Sequence, residues 1–239
     1  MLEPQPFRKK VRRGKKKKKT VRLYYNNING LTSKTESLKK ILGCLSPDIV
    51  ALCETKLSKA TKGVLSKNFD ERVYSIIPRF TKAGKEGLVI AVKHNTFKSV
   101  LDVTTTELNT IMSVRLSTGV NNIRLILGYA PQEDEDNEIR EEFFQELELE
   151  LRCCATSGDF PLLIGDFNAK IEPSSTELSQ GIPISENGKS LHNIIKEYDM
   201  SLLNFTAKCS GKITHVIRTT GASSVLDYCA VSNDLIDSM

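Results

Sequence analysis

The chain has 239 residues, with an apolar fraction of 39% and a charged fraction of 26%, the balance of an ordinary globular protein. Its net charge of +5 hides an asymmetry: Arg8 to Lys19 holds ten of the 34 basic residues, whereas the sequence after residue 20 carries 24 basic and 28 acidic groups, a net of −4. No apolar stretch reaches bilayer length, no apolar core marks a secretory signal, and the six cysteines form no C-x-x-C pair, which excludes spanning, secreted and zinc-ribbon classes.

The first segment, residues 1–20, reads as a basic, disordered leader, because like charges repel and nothing apolar compensates. Nuclear localisation and attraction to phosphate backbones are its functional readings, and an unselected solubilising leader is the bland one. From Thr20 onward no linker-like stretch appears, so residues 21–239 read as one domain. Val21 to Asn27 is a strand rich in β-formers. Ser37 to Leu45 has helical spacing, with Leu38, Ile41, Leu42 and Leu45 on one face. Ile49 to Cys53 is an apolar strand, followed by strands at Tyr74–Pro78 and Gly87–Val92. Thr110–Leu116 and Ile123–Tyr129 form a strand pair.

Glu133 to Cys154 is the longest helical pattern, with Ile139, Phe143, Leu147 and Leu151 as its apolar stripe and acids on the solvated face. A short apolar run then ends in Gly165-Asp166-Phe167-Asn168. A second long helix opens at Asn187-Gly188 and runs through Tyr198. Met200–Phe205, Ile213–Ile217 and Val225–Val231 complete the strands. Long helices interleaved with strands and hairpins predict a mixed α/β sandwich. The cysteines read as small core hydrophobes in a reducing compartment.

Several apolar strands end in polar residues. The ends are Asn27-Ile28-Asn29-Gly30, Cys53-Glu54-Thr55-Lys56, Gly128-Tyr129-Ala130-Pro131-Gln132, Gly165-Asp166-Phe167-Asn168 and Ser224-Val225-Leu226-Asp227. Each alone reads equally as a turn or a solvated strand end. Asp227 is harder to dismiss, since an acid between apolar neighbours needs a buried partner. Together, on one edge, they would line a cleft. Alternation puts Asp166 and Asn168 on the same side of an extended chain.

That inventory suits one chemistry. Glu54 with one or two amides is a sparse oxygen set, suited to Mg²⁺, which keeps most of its waters. Asp166 can orient or deprotonate a water. Asn27, Asn168 and the Tyr129 hydroxyl can donate around a phosphate. The set fits metal-assisted hydrolysis of a phosphodiester.

In this order the five segments resemble the endonuclease/exonuclease/phosphatase superfamily, most of all the apurinic-endonuclease-like endonuclease domains of non-LTR (LINE-type) retrotransposons. The resemblance implies a DNase I-like, four-layer α/β sandwich, with two packed mixed β-sheets flanked by helices. It implies that Glu54 and Asn27 hold Mg²⁺, with Mn²⁺ as a substitute, and that Tyr129 contacts the scissile phosphate. Asp166 then activates the water with Asn168 beside it, and Asp227 orients a catalytic histidine. Asn29, Gln132, Thr214 and Ser224 fall where such domains contact DNA. Gln132 stands where an asparagine is common.

The resemblance also sets an expectation of loss. Such domains close with a Ser-Asp-His segment, and this sequence ends at Met239 without one. Residues 21–239 are therefore expected to lack the final strand and the catalytic histidine, since His94, His192 and His215 stand in the wrong contexts. The expected function is nicking of target DNA for reverse transcription, within a longer polyprotein carrying a reverse transcriptase. DNA is the expected partner, with no membrane, and the nucleus or cytoplasm the expected location. The alternatives are a catalytically impaired nucleic-acid-binding fragment, or a relative acting on lipid or small phosphoesters.

Overall fold

The computed structural model describes residues 20–81, 86–106, 110–171, 184–206, 209–210, 213–216 and 223–236. The expected leader over residues 1–20 lies outside them but for Thr20. Strand β1 (Leu23–Asn27) runs parallel to β2 (Ile49–Cys53), in a register that sets Asn27 beside Cys53. Parallel neighbours need a crossover, supplied by α1 (Thr35–Leu45). β2 is buried at every position, which is why its sequence is an unbroken apolar run. After α2 (Gly63–Asn68), strands β3 (Tyr74–Arg79) and β4 (Leu88–Lys93) complete a sheet of order β1-β2-β4-β3.

The second sheet begins with β5 (Ser99–Thr105), β6 (Ile111–Ser117) and β7 (Asn122–Tyr129). Helix α3 (Asn137–Ser157) carries the chain to β8 (Phe160–Asp166), parallel to β7. Helix α4 (Glu186–Glu197) and β9 (Met200–Leu202) follow, then a two-stranded pair, β10 (His215–Val216) with β11 (Ser223–Ser224). β12 (Asp227–Ser232) runs antiparallel between β8 and β9, giving the order β5-β6-β7-β8-β12-β9, and leads into α5 (Asn233–Ile236).

Three apolar clusters fix the layers. Ile49, Ala51, Cys53 and Ile90 of the first sheet meet Met112, Val114, Leu125 and Ile164 of the second. The outer face of the first sheet packs Val50, Leu52, Val89 and Ala91 against Leu38 of α1 and Leu65 of α2. The outer face of the second packs Ile126 and Leu163 against Phe143, Leu147 and Leu151 of α3 and Leu191 of α4. Two mixed sheets lie face to face between helical layers, the expected four-layer sandwich. Among the described residues no helix is long and apolar enough to cross a membrane.

The structure departs from the sequence reading in a few places. β5 and α2 went unread. α3 starts at Asn137 rather than Glu133, and Ile139, expected in its stripe, is 39% exposed. Glu133 instead accepts the Asn187 N–H at 2.9 Å. Cys53 and Cys154 are buried as expected, but Cys44 and Cys153 are exposed on helix faces.

Candidate active site

Strand direction brings the polar ends together. β1 and β2 are parallel and finish side by side at Asn27 and Cys53, with Glu54 next. β7 and β8 are parallel and finish at Tyr129 and Asp166, which are register neighbours. β12 is antiparallel to β8, so its first residue, Asp227, falls opposite Asp166. All five ends therefore open on one edge of the two packed sheets. They line a cleft of about 490 Å³ that includes Asn27, Asn29, Glu54, Tyr129, Gln132, Asp166, Asn168, Thr214 and Asp227. Of the ten residues named from sequence, only Ser224 does not line it. Ser224 instead pairs with His215 in the short β10–β11 ladder, and its carbonyl accepts the Thr214 N–H.

The hydrogen bonds tie the two sheets together across the cleft floor. Asn27 Nδ2 donates to Glu54 Oε1 at 2.7 Å and to Asp166 Oδ2 at 2.9 Å, which uses both hydrogens of its amide. Its oxygen accepts the Asn29 N–H at 3.2 Å. Lys56 Nζ donates to Asn29 Oδ1 at 2.5 Å and lies 3.4 Å from Glu54 Oε2. Asp166 Oδ1 accepts the Asn168 N–H at 3.0 Å, an Asx turn, while Asn168 Nδ2 donates to the Ala130 carbonyl at 2.8 Å. So Asp166 and Asn168 make the turn that the bland reading of this segment expects, and they line the cleft as well. Thr214 Oγ1 accepts the N–H groups of Leu226 and Asp227, fixing the start of β12.

Charge is concentrated here. Glu54, Asp166 and Asp227 all line the cleft. Burial, and after it the charge of Asp227, push the Asp166 carboxyl up to about 6, although the Asn27 and Asn168 hydrogen bonds pull the other way. Burial first and Glu54 second raise the Tyr129 phenol, which keeps it a hydrogen-bond donor. An acid that holds its proton near neutrality can exchange it with a bound water.

The surrounding backbone is shaped for the site. Asn29, Glu54, Lys56 and Asn168 all have left-handed φ, at 44°, 48°, 55° and 44°, a region that costs a non-glycine residue on the order of 1 kcal/mol. Buried Asn187, at the start of α4, clamps the loops around them. Its Nδ2 donates to the Pro131 carbonyl at 2.9 Å and to that of Phe167 at 3.3 Å. Gly165 permits the close approach of β7 and β8, since a Cβ there would stand 2.0 Å from the Gly128 carbonyl oxygen.

Sequence reasoning missed three contributors. Asn187 was read only as a helix opening, and Lys56 carried no assigned role. Tyr25 was read as a strand residue, yet its hydroxyl donates to Asp227 Oδ1 at 2.7 Å. The apolar–polar spacing Tyr25-Asn26-Asn27 held the one available signal, because residues two apart share a face. The resemblance gives Asp227 an imidazole neighbour; among the described side chains, this phenol is a donor to it. Among the described side chains no histidine lines the cleft: His94 binds the Arg72 carbonyl and His192 is exposed on α4.

The donor set fits a hard divalent cation sparingly. Glu54 offers a carboxylate at the cleft, with Asn27 bracing it. No group of three or more His, Cys, Asp or Glu side chains forms a ligand cage among the described residues. Sparse oxygen ligation suits Mg²⁺, and a bound cation would relieve the charge repulsion that adds to burial in raising Asp166.

The sequence model of the Endonuclease/Exonuclease/phosphatase family matches residues 27–237. Among solved structures, an AP endonuclease from Leishmania major superposes with a TM-score of 0.71 at 17% identity, covering 91% of this chain and 80% of that one. The 3′-5′ exonuclease NExo from Neisseria meningitidis gives 0.73 at 15% identity, covering 91% and 89%. The endonuclease domain of TRAS1, a telomere-specific non-LTR retrotransposon, gives 0.64 at 17% identity, covering 91% and 88%. These similarities establish a shared fold. No curated protein sequence matches significantly.

Proposed function

This chain belongs to the Endonuclease/Exonuclease/phosphatase family, a family of hydrolases, and from that premise we propose that it is a Mg²⁺-dependent endonuclease that nicks DNA. One observation carries the reading: the Asn27 carboxamide donates to Glu54 and Asp166 at once, coupling a candidate metal ligand to a candidate base. Glu54 would hold the cation, with Asn27 fixing its carboxylate; when bound, the cation would supply charge stabilisation to a phosphate oxygen. Asp166 orients the attacking water and takes its proton. Tyr129, kept protonated, donates to the scissile phosphate, and Asn168 has a second amide hydrogen for the same group. Asn29 and Gln132 contact the DNA strand at the cleft mouth, whereas the Thr214 hydroxyl is already committed to the β12 backbone.

DNA is favoured as substrate by the fold shared with AP endonucleases and with a 3′ phosphatase solved with a product DNA hairpin. The TRAS1 domain and the Lys/Arg-rich residues 8–19 favour the finer reading: a nuclear, retrotransposon-borne enzyme, made with a reverse transcriptase, whose nick primes DNA synthesis. The test is plasmid nicking with Mg²⁺, followed by polymerase extension of the nick. Wild type should nick and leave an extendable 3′-hydroxyl. Glu54→Ala and Asp166→Asn should each lose about 10²–10⁴-fold. Nicking that survives chelation, or is indifferent to Glu54→Ala, overturns the reading. Faster turnover of a phosphoinositide than of DNA would move the substrate to lipid phosphoesters.

A second reading, DNA binding with impaired hydrolysis, is favoured by the Tyr25 phenol on Asp227. A phenol held protonated shuttles protons poorly at neutral pH. Salt-sensitive DNA binding without nicking would select it.

A further inference from the structure

The cleft floor contains a second cross-sheet contact that the proposed chemistry does not use. Tyr25 and Asn27 lie two residues apart on β1, so both side chains face the second sheet. Opposite them, Asp227 on β12 and Asp166 on β8 are register neighbours. The two pairs meet side by side: Asn27 Nδ2 reaches Asp166 Oδ2 at 2.9 Å, and Tyr25 Oη reaches Asp227 Oδ1 at 2.7 Å. Four side chains from three strands thus make two adjacent cross-sheet bonds, in which β1 supplies both donors and the second sheet both acceptors.

From this geometry we propose that Tyr25 is a positioning residue for the hydrolysis, acting through Asp227. The inference rests on the nuclease reading above. Asp227 begins β12, where its backbone N–H is held by Thr214 Oγ1 and its carbonyl by Asn204 Nδ2. Those bonds fix its main chain, and the Tyr25 hydroxyl fixes one oxygen of its carboxylate. A phenol is suited to the task because it is rigid, spans the gap between the sheets, and donates a single hydrogen bond along a fixed direction. A carboxylate held in one orientation keeps its charge at a constant distance from Asp166, the group assigned to the water. Burial and the neighbouring Cys53, Asp227 and Asp166 keep the Tyr25 phenol protonated far beyond its usual range, so the donor is permanent.

Tyr25 touches neither the water nor the ester in this assignment. Its effect therefore belongs in kcat rather than KM, and it should vanish when Asp227 cannot use it. The experiment compares wild type, Tyr25→Phe, Tyr25→His, Asp227→Asn and the Tyr25→Phe/Asp227→Asn double variant. Each is assayed for Mg²⁺-dependent plasmid nicking, DNA affinity and thermal melting. Loss of a hydrogen bond to a charged group predicts a kcat about 10- to 100-fold lower for Tyr25→Phe, with KM and DNA affinity unchanged. The double variant should be no slower than Asp227→Asn, and Tyr25→His, whose shorter ring does not reach Asp227, should lose kcat as Tyr25→Phe does.

Equal rates for Tyr25→Phe and wild type would overturn the assignment, as would losses that multiply in the double variant. A Tyr25→Phe too unstable to assay passes the test to Tyr25→His. That variant should then show a kcat loss of its own that disappears in the Asp227→Asn background, and losses that multiply there would overturn the proposal. A wild type that binds DNA and does not nick would sink the nuclease reading itself, an outcome distinct from a nicking wild type indifferent to Tyr25.

Discussion

Asp166 and Asp227 face each other as register neighbours on adjacent antiparallel strands, β8 and β12. Like charges placed so are unfavourable, and the conflict is confined here by donors from β1: Asn27 on one acid and Tyr25 on the other. Both donors come from the opposite sheet, so the packing of the two sheets determines whether the pair is tolerated.

A pH dependence follows. The Asp166 carboxyl titrates at about 6 in the folded state, raised from an ordinary 3.8 by burial and then by Asp227. The folded state therefore holds this proton more tightly than the unfolded state does. The stability it contributes is fully present below about pH 4 and is lost as pH rises through about 6. The full difference is at most on the order of 3 kcal/mol. Urea unfolding of the metal-free protein between pH 4 and 7 should show this decline, and Asp166→Asn should flatten it. An unchanged slope in that variant would remove Asp166 as the cause.

Gly165→Ala should be strongly destabilising. Its Cβ would stand 2.0 Å from the Gly128 oxygen and 2.8 Å from the Gly128 carbonyl carbon, both backbone atoms that cannot swing aside. A loss of about 3 kcal/mol or more is expected, at or above the upper range of overpacking costs. Gly43→Ala is the matched control: it lies within α1 with nothing within 4 Å of the new Cβ, and should gain about 0.5–1 kcal/mol. Denaturant midpoints of the two variants decide the matter.

Asn187→Ala should couple stability to activity. It leaves the part-buried carbonyl of Pro131 and the buried one of Phe167 without this donor, a cost of about 1–3 kcal/mol. Because those carbonyls belong to the loops bearing Gln132 and Asn168, kcat for nicking should fall at temperatures where the variant is still folded. Full activity in a destabilised Asn187→Ala would show that the clamp serves the fold alone.

Lys56→Ala should tighten divalent cation binding. Lys56 Nζ lies 3.4 Å from Glu54 Oε2 and so competes with an ion for the same carboxylate. A partly exposed pair of this kind contributes up to about 1 kcal/mol, so Mn²⁺ affinity should rise by roughly 2- to 5-fold. Titration by Mn²⁺ relaxation would show it, and Glu54→Gln should abolish specific binding in either background.

Most of the fold was legible because its central strands bury both faces. Ile49 to Cys53 and Leu88 to Val92 are continuous apolar runs, and no other arrangement hides them. β5 was not legible, since Ser99-Val100-Leu101-Asp102-Val103-Thr104-Thr105 is an exposed edge strand with a bulge between Val100 and Asp102 and carries neither alternation nor an apolar run. The extra turn assigned to α3 came from counting the acids at Glu133–Asp136 as helix, when Glu133 is committed to Asn187. The cleft was readable as a set of strand ends, because strand direction alone brings such ends together. Its cross-chain contacts were not. Asp227 announced a need for a buried partner, but nothing local in the sequence points to Tyr25, 202 residues away.

The left-handed backbone at Asn29, Glu54, Lys56 and Asn168 has a consequence for the evolution of this chain. Each position would be more comfortable as glycine, so mutation without selection for chemistry has an easy route to a sturdier protein through residues in and beside the cleft. A relative released from selection for chemistry would be expected to lose Glu54 early and keep its sandwich, whereas retention of all four side chains among relatives would be the mark of lineages still under selection to act on a substrate.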